Sequence, residues 1–354
     1  MKKHLITLLT AAGIFALALP SAKAAISTST NSTGVGGYAL DIRLNNSWTS
    51  GSIVGATGFR YGNNNFTSDG NLLAGDQNGS IWEINSSSGA VINNRTGMTA
   101  GEVYSFAQSG GYLFAANNGE FSRWSTNQNI NVDSPTTITD DVRRSIHADP
   151  TGTKLFASGS GQDTVVRYTV DGSGNISEDW TTASIGGQVR GMAYVDGRGL
   201  YVANSGYNPD RLYFVNDSGT AAQVSGLPSM DTLFEAVAFA NIDNVDYLFL
   251  GGALNGLNGL LVGRLDGNTT LDAWDFYAGN STAWAANTTF MAGWATGGSD
   301  SGVVYWGSGS MIRAFNVTVI PEPSTYAMLA LGLAMSAYGL RVSRKRKVAS
   351  ATTA

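Results

Sequence analysis

The chain has 354 residues, of which 21 are basic, 26 acidic and none cysteine. The lack of cysteine excludes disulfides, zinc thiolate sites, thiol nucleophiles and an acylated lipoprotein terminus. Setting aside Lys2, Lys3, Lys23 and five cations near the C-terminus leaves 13 basic residues, Lys154 the sole lysine; setting aside Glu322 leaves 25 acidic ones. The body thus carries a formal charge near −12, which repels nucleic acid and anionic membranes.

The N-terminus reads as an export signal. Lys2, Lys3 and His4 form a positive start, Leu5 to Leu19 is an apolar run, and Ala22-Lys23-Ala24 is an Ala-x-Ala cleavage site. This pattern predicts a secretory signal peptide over 1–24, cleaved after Ala24, and hence passage through the secretion machinery.

Residues 25–318 are rich in Gly, Asn, Ser and Thr, interleaved with aromatic and β-branched residues. Such a composition suits short strands joined by tight turns. Six segments repeat one order of strands. A small apolar strand comes first, as at Gly58-Phe59-Arg60 or Gly191-Met192-Ala193. A continuous apolar strand follows, as at Leu72-Leu73-Ala74-Gly75 or Leu200-Tyr201-Val202-Ala203. A turn leads to an alternating third strand, as at Ile81-Trp82-Glu83-Ile84, and a weaker fourth strand often comes after. Aligned at Phe59, Phe106, Ile146, Met192, Val237 and Ala292, the units are spaced by 47, 40, 46, 45 and 55 residues. A period near 40–50 with three or four strands per unit predicts an all-β fold, a β-propeller of six blades or alternatively seven. A β-sandwich or a two-domain β protein is the structural alternative. The orphan strand Tyr38 to Arg43 is expected to complete the last blade, since closing the ring removes an exposed edge.

Turns between second and third strands share a face with the turns leading into each first strand. The former carry Asp76, Asn78, Asn117, Asn118, Asp163, Asn204, Asn208 and Asp210. The latter carry Asp140, Asp141, Arg143, Arg144, Gln188, Arg190, Asp231 and Glu235. No cofactor is required, but these oxygen ligands would suit Ca²⁺. Turn chemistry is the stronger reading, because Asn and Asp make local hydrogen bonds in turns. Asp171 to Asn175 reads as a hairpin turn. His147, the one histidine of the body, reads as a structural residue of an apolar inner strand. Trp180, Trp274 and Trp284 could stack on sugars or fill space between blades. Tyr201-Val202-Ala203-Asn204, with Phe114 to Asn117, resembles the YVTN and lactonase-like propellers.

The C-terminus combines three features in order. Pro321-Glu322-Pro323 precedes 17 uncharged residues, 324–340, and these end at Arg341, Arg344, Lys345, Arg346 and Lys347. As a helix, 17 residues rise roughly 25 Å, enough for a short transmembrane helix. The basic cluster would hold its end in the cytoplasm. The region 319–347 resembles the PEP-CTERM sorting signal of Gram-negative bacteria, with 348–354 as a further tail. The resemblance implies an exosortase-type processing partner and a transient inner-membrane intermediate. It also implies release to the cell surface or a biofilm matrix of exopolysaccharide. Two functions are expected: a binding or structural matrix protein, or a propeller hydrolase of lactonase or glycan-cleaving type with a channel-bound divalent metal. The second would need at least three of Asp76, Asp163, Asn204, Asp210, Asp231 and Glu235 to converge.

Overall fold

The fold is known from a computed structural model. It describes residues 38–45, 48, 70–76, 78–95, 103–117, 121–124, 136–138, 144–149, 151–159, 163–205, 211–227, 232–254, 257–278, 290–298, 301–308, 311–321 and 330–338. The stretch 1–24 expected to be a signal peptide, Gly58 to Arg60, Trp284, Glu322, Pro323 and the basic cluster lie outside these residues.

Strand β1 (Tyr38–Leu44) comes first. A first sheet follows: β2 (Leu72–Gly75), β3 (Ile81–Ile84) and β4 (Val91–Arg95). The second sheet holds β5 (Val103–Ser109), β6 (Tyr112–Asn117), β7 (Phe121–Trp124) and β8 (Thr136–Ile138). The third holds β9 (Ile146–Ala148), β10 (Lys154–Ser158), β11 (Val165–Val170) and β12 (Ile176–Thr181). The fourth holds β13 (Gln188–Val195), β14 (Gly199–Ser205), β15 (Arg211–Val215) and β16 (Ala221–Gln223). The fifth holds β17 (Thr232–Ile242), β18 (Val245–Leu254), β19 (Leu257–Asp266) and β20 (Thr270–Ala278). The last joins β21 (Phe290–Gly298), β22 (Ser301–Ser308) and β23 (Met311–Pro321) to β1. Among the described residues, every pairing of these strands is antiparallel and joins strands adjacent in sequence, except for β1 with β23. This is an all-β β-propeller.

The sequence pattern explains the burial within each sheet. Middle strands lie between neighbours on both faces, and β14 is buried at all seven positions. The third strand β11 alternates toward its outer end, and the outermost β12 is largely exposed. Between β17 and β18, Asp243 and Asn244 both take positive φ, 51° and 62°. This two-residue hairpin matches the twist of its strands. The β-sandwich alternative is excluded by the arrangement of the sheets. Six buried apolar clusters form, one between each sheet and the next, and they close in a ring. The cluster of Leu72, Trp82, Tyr305 and Ile312 joins the last sheet to the first. There, Ser86 O accepts from Tyr305 Oη at 2.7 Å and from Trp48 Nε1 at 2.8 Å.

The expectation that the orphan strand completes the last blade holds. Seven residues of β1 register against β23, from Tyr38 opposite Pro321 to Leu44 opposite Phe315. β23 therefore runs through Val319 and Ile320 to Pro321, the first residue of the Pro-Glu-Pro motif. The blade count differs from the six or seven expected: only five sheets are complete four-stranded blades, the β2–β4 sheet having three strands among the described residues. The predicted transmembrane helix is also not found in that form. Only 330–338 of its span is described; it is helical, with Leu331, Leu333, Met335 and Tyr338 all exposed. Among the described residues, no helix is long and apolar enough to cross a membrane.

Candidate functional site at the axial mouth

The inner strands begin on one face of the ring, and in β13 and β17 a bulge lies near the start. The pairing of β13 with β14 slips between Val189 and Met192, and that of β17 with β18 slips between Phe234 and Ala236. Arg190 and Glu235 occupy these slips. A bulge bends its strand and re-aims the side chain it carries. Gly191 follows from the same geometry. A Cβ there would lie 2.6 Å from Ala236 Cα and 2.6 Å from Val237 N, so the two inner strands can meet only if residue 191 lacks a side chain.

Arg190 is held by three groups. Its Nε donates to Ser205 Oγ at 2.8 Å, its Nη2 donates to Gln188 Oε1 at 2.7 Å, and its Nη1 lies 3.5 Å from Glu235 Oε2. From the preceding blade, Arg144 Nη1 donates to the same Gln188 oxygen at 3.1 Å. Three consecutive blades thus bring two guanidinium groups and one carboxylate around one amide. The Arg190 and Glu235 side chains are only 15% and 11% exposed. Charges so placed are less screened than surface pairs. Arg144 is itself fixed by its backbone: its N–H and that of Ser145 both donate to Ser158 Oγ at 3.0 Å.

The other expected site residues disperse. Asp76 is fully buried and accepts from Asn78 N, Ser80 N and Trp82 Nε1 at 2.9–3.0 Å, so both of its oxygens serve its own turn. Asp163 Oδ2 accepts from Ser184 Oγ at 2.5 Å. Asn204 is fully buried; its Nδ2 donates to Gly186 O, and among the described residues its Oδ1 has no hydrogen-bond partner. Asn117 ends β6, opposite Val103. His147 is buried in β9 opposite Phe156. Asp210 and Asp231 lie outside the described residues. Among the described residues, no group of three or more His, Cys, Asp or Glu could hold a metal ion.

Turn chemistry accounts for the remaining acidic motifs. Asp171 Oδ1 accepts from Ser173 N and Asn175 N at 2.8 Å, and Asn175 Nδ2 donates to Oδ2 at 3.0 Å. These bonds hold its carboxyl below the usual range, the Asn175 side chain contributing most. Trp180 packs between blades, 6.2 Å from Phe156 between ring centroids, and donates to Asp217 O. Arg167 lies over its ring. Trp274 is partly buried against the cluster between the fourth and fifth sheets. Sequence reasoning placed Arg144, Gln188 and Arg190 among the turn residues without singling out their convergence. It missed Ser205, whose only signal is its position directly after Tyr201-Val202-Ala203-Asn204.

No family model matches the chain, and no curated protein matches it. Among solved structures, the Cps50 (Swd1) β-propeller domain of Myceliophteria thermophila is 14% identical. It aligns over 78% of this chain and 100% of its own, with a TM-score of 0.50. The structure of U3-55K is 11% identical and aligns over 78% of this chain and 98% of its own, with a TM-score of 0.52. What these proteins share with this chain is the propeller fold.

Proposed function

We propose that this chain is an exported β-propeller with a non-enzymatic binding or structural role at the cell surface or in an exopolysaccharide matrix. An exosortase-type enzyme sorts it through residues 319–347. The reading rests on one observation: Pro321-Glu322-Pro323, an uncharged run and a basic cluster stand in that order. The signal-peptide pattern over 1–24 agrees with export. An acidic body with a single lysine suits a hydrated matrix and is unsuited to nucleic acid. The hydrolase alternative is weaker, because Asp76, Asp163, Asn204 and Glu235 each engage separate partners.

The test is replacement of Pro321, Glu322 and Pro323 by alanine in the native host. The variant should stay uncleaved and membrane-retained in cell fractionation. Normal release would show that the motif is not a sorting signal.

A further inference from the structure

We propose that β1 is a clasp that fixes the body-side limit of C-terminal processing: Val319, Ile320 and Pro321 stay paired with β1 while the tail is removed, and the released body keeps β23 through Pro321. The processing enzyme here is that of the sorting reading above, on which the proposal rests. Strand β23 pairs with β22 only as far as Thr318, opposite Ser301. Beyond that point Val319, Ile320 and Pro321 pair with Leu40, Ala39 and Tyr38 of β1. Among the described residues, β1 is therefore the one strand that holds this strip. Val319 also packs against the cluster that contains Leu40, Ile42, Phe315 and Val317. A cut before Val319 would take part of the closing blade's packing away with the tail.

The strip belongs both to the fold and to the sorting segment, since Pro321 opens the Pro-Glu-Pro motif. Processing breaks one peptide C–N bond: the nucleophile, water or an amine, joins the carbonyl carbon, and its proton goes to the departing amine. An enzyme has to straddle the bond it breaks, and a peptide bond inside a ladder is reached only after local opening. Pro321 has no N–H with which to carry a ladder further, and the register with β1 ends there. A cut beyond Pro321 thus opens no pair of the closing blade, whereas a cut within 319–321 has to open the clasp first. Tyr38 and Pro321 are 283 positions apart, so this protection exists only once the ring has closed.

The full-length chain, purified in mild detergent with its tail uncut, is digested briefly with proteinase K, and the C-terminus of the body fragment is read by mass spectrometry. It should lie at Pro321 or beyond. Ala39→Pro removes the pairing with Ile320 near the ladder end, and cutting within 319–321 should become about ten-fold faster, as expected for one or two lost ladder hydrogen bonds. In Ala39→Cys with Ile320→Cys, in a chain otherwise without cysteine, a disulfide shuts the clasp. Proteinase K should then spare the strip altogether. In the native host the tail should still be removed as fast as in the two single-cysteine variants, leaving a body that ends at Pro321 or beyond. This variant also serves if Ala39→Pro unfolds the ring. Cutting before Pro321 in the folded wild type, an unchanged rate in Ala39→Pro, or tail removal blocked by the disulfide would overturn the clasp. Protection of the strip with release that survives replacement of the motif removes the sorting reading alone; a strip cut in the wild type with motif-dependent release removes the clasp alone.

Discussion

Ring closure by β1 is the feature whose energetic weight can be worked from the structure. Leu40 and Ile42 are 7% and 4% exposed and share one face of the strand. They pack in the cluster with Ala236, Phe249, Trp306 and Phe315, which joins the fifth and last sheets. Truncating a buried Leu or Ile to Ala costs about 2–5 kcal/mol. Adjacent sites share part of that loss, so Leu40→Ala with Ile42→Ala should cost roughly 4–6 kcal/mol. Against a domain stability of about 5–15 kcal/mol, this is a large fraction. The control is Val91→Ala with Ile92→Ala on β4, where exposures of 43% and 45% leave little to lose; its cost should stay below about 1 kcal/mol. Urea unfolding followed by tryptophan fluorescence reports both, because Trp306 sits in the affected cluster. The closure variant should shift the midpoint several times further than the control. Equal shifts would refute the reasoning and make β1 a dispensable appendage.

Two further outcomes are expected. Asp76→Ala strips three donors of their acceptor in a buried turn. It should lower stability by about 2–4 kcal/mol in urea without altering any calcium dependence; a loss of calcium response instead would restore Asp76 as a ligand. The pH limits follow from Asp272 and Tyr194. The Arg264 guanidinium holds the Asp272 carboxyl below its usual range. Its contribution is therefore present above about pH 4 and lost as pH falls through the lower folded value. The pair is partly exposed, at 19% and 32%, so Asp272→Asn should flatten the acid limb by no more than about 1 kcal/mol. Burial, reinforced by Asp217, pushes Tyr194 up to about 12. An unfolded tyrosine ionises near pH ~10. Stability from Tyr194 is thus full below that value and falls as pH rises toward the folded one. Tyr194→Phe should extend the alkaline limit in a circular-dichroism pH titration; an unchanged limit would show that another group sets it.

Much of the fold was legible because propeller strands announce themselves by burial. Leu72 to Gly75 and Leu200 to Ala203 read as continuous apolar runs because both faces of a middle strand are covered. Tyr38 to Arg43 could be assigned to the last blade because an all-β ring cannot tolerate a free edge. The acidic turns were legible as turns because each Asp, as at 76 and 171, lies two to four residues from the N–H groups it accepts.

The sequence by itself determined a repeating all-β body, since strand periodicity is a local property. What it could not determine was which polar groups would meet. Arg144, Gln188 and Arg190 looked like ordinary turn residues in a row of similar turns. Two bulges and the absence of a side chain at Gly191 bring consecutive inner strands close enough for Arg144, Gln188, Arg190 and Glu235 to share one site. That meeting spans 91 positions from Arg144 to Glu235, and only the packing of consecutive blades decides it.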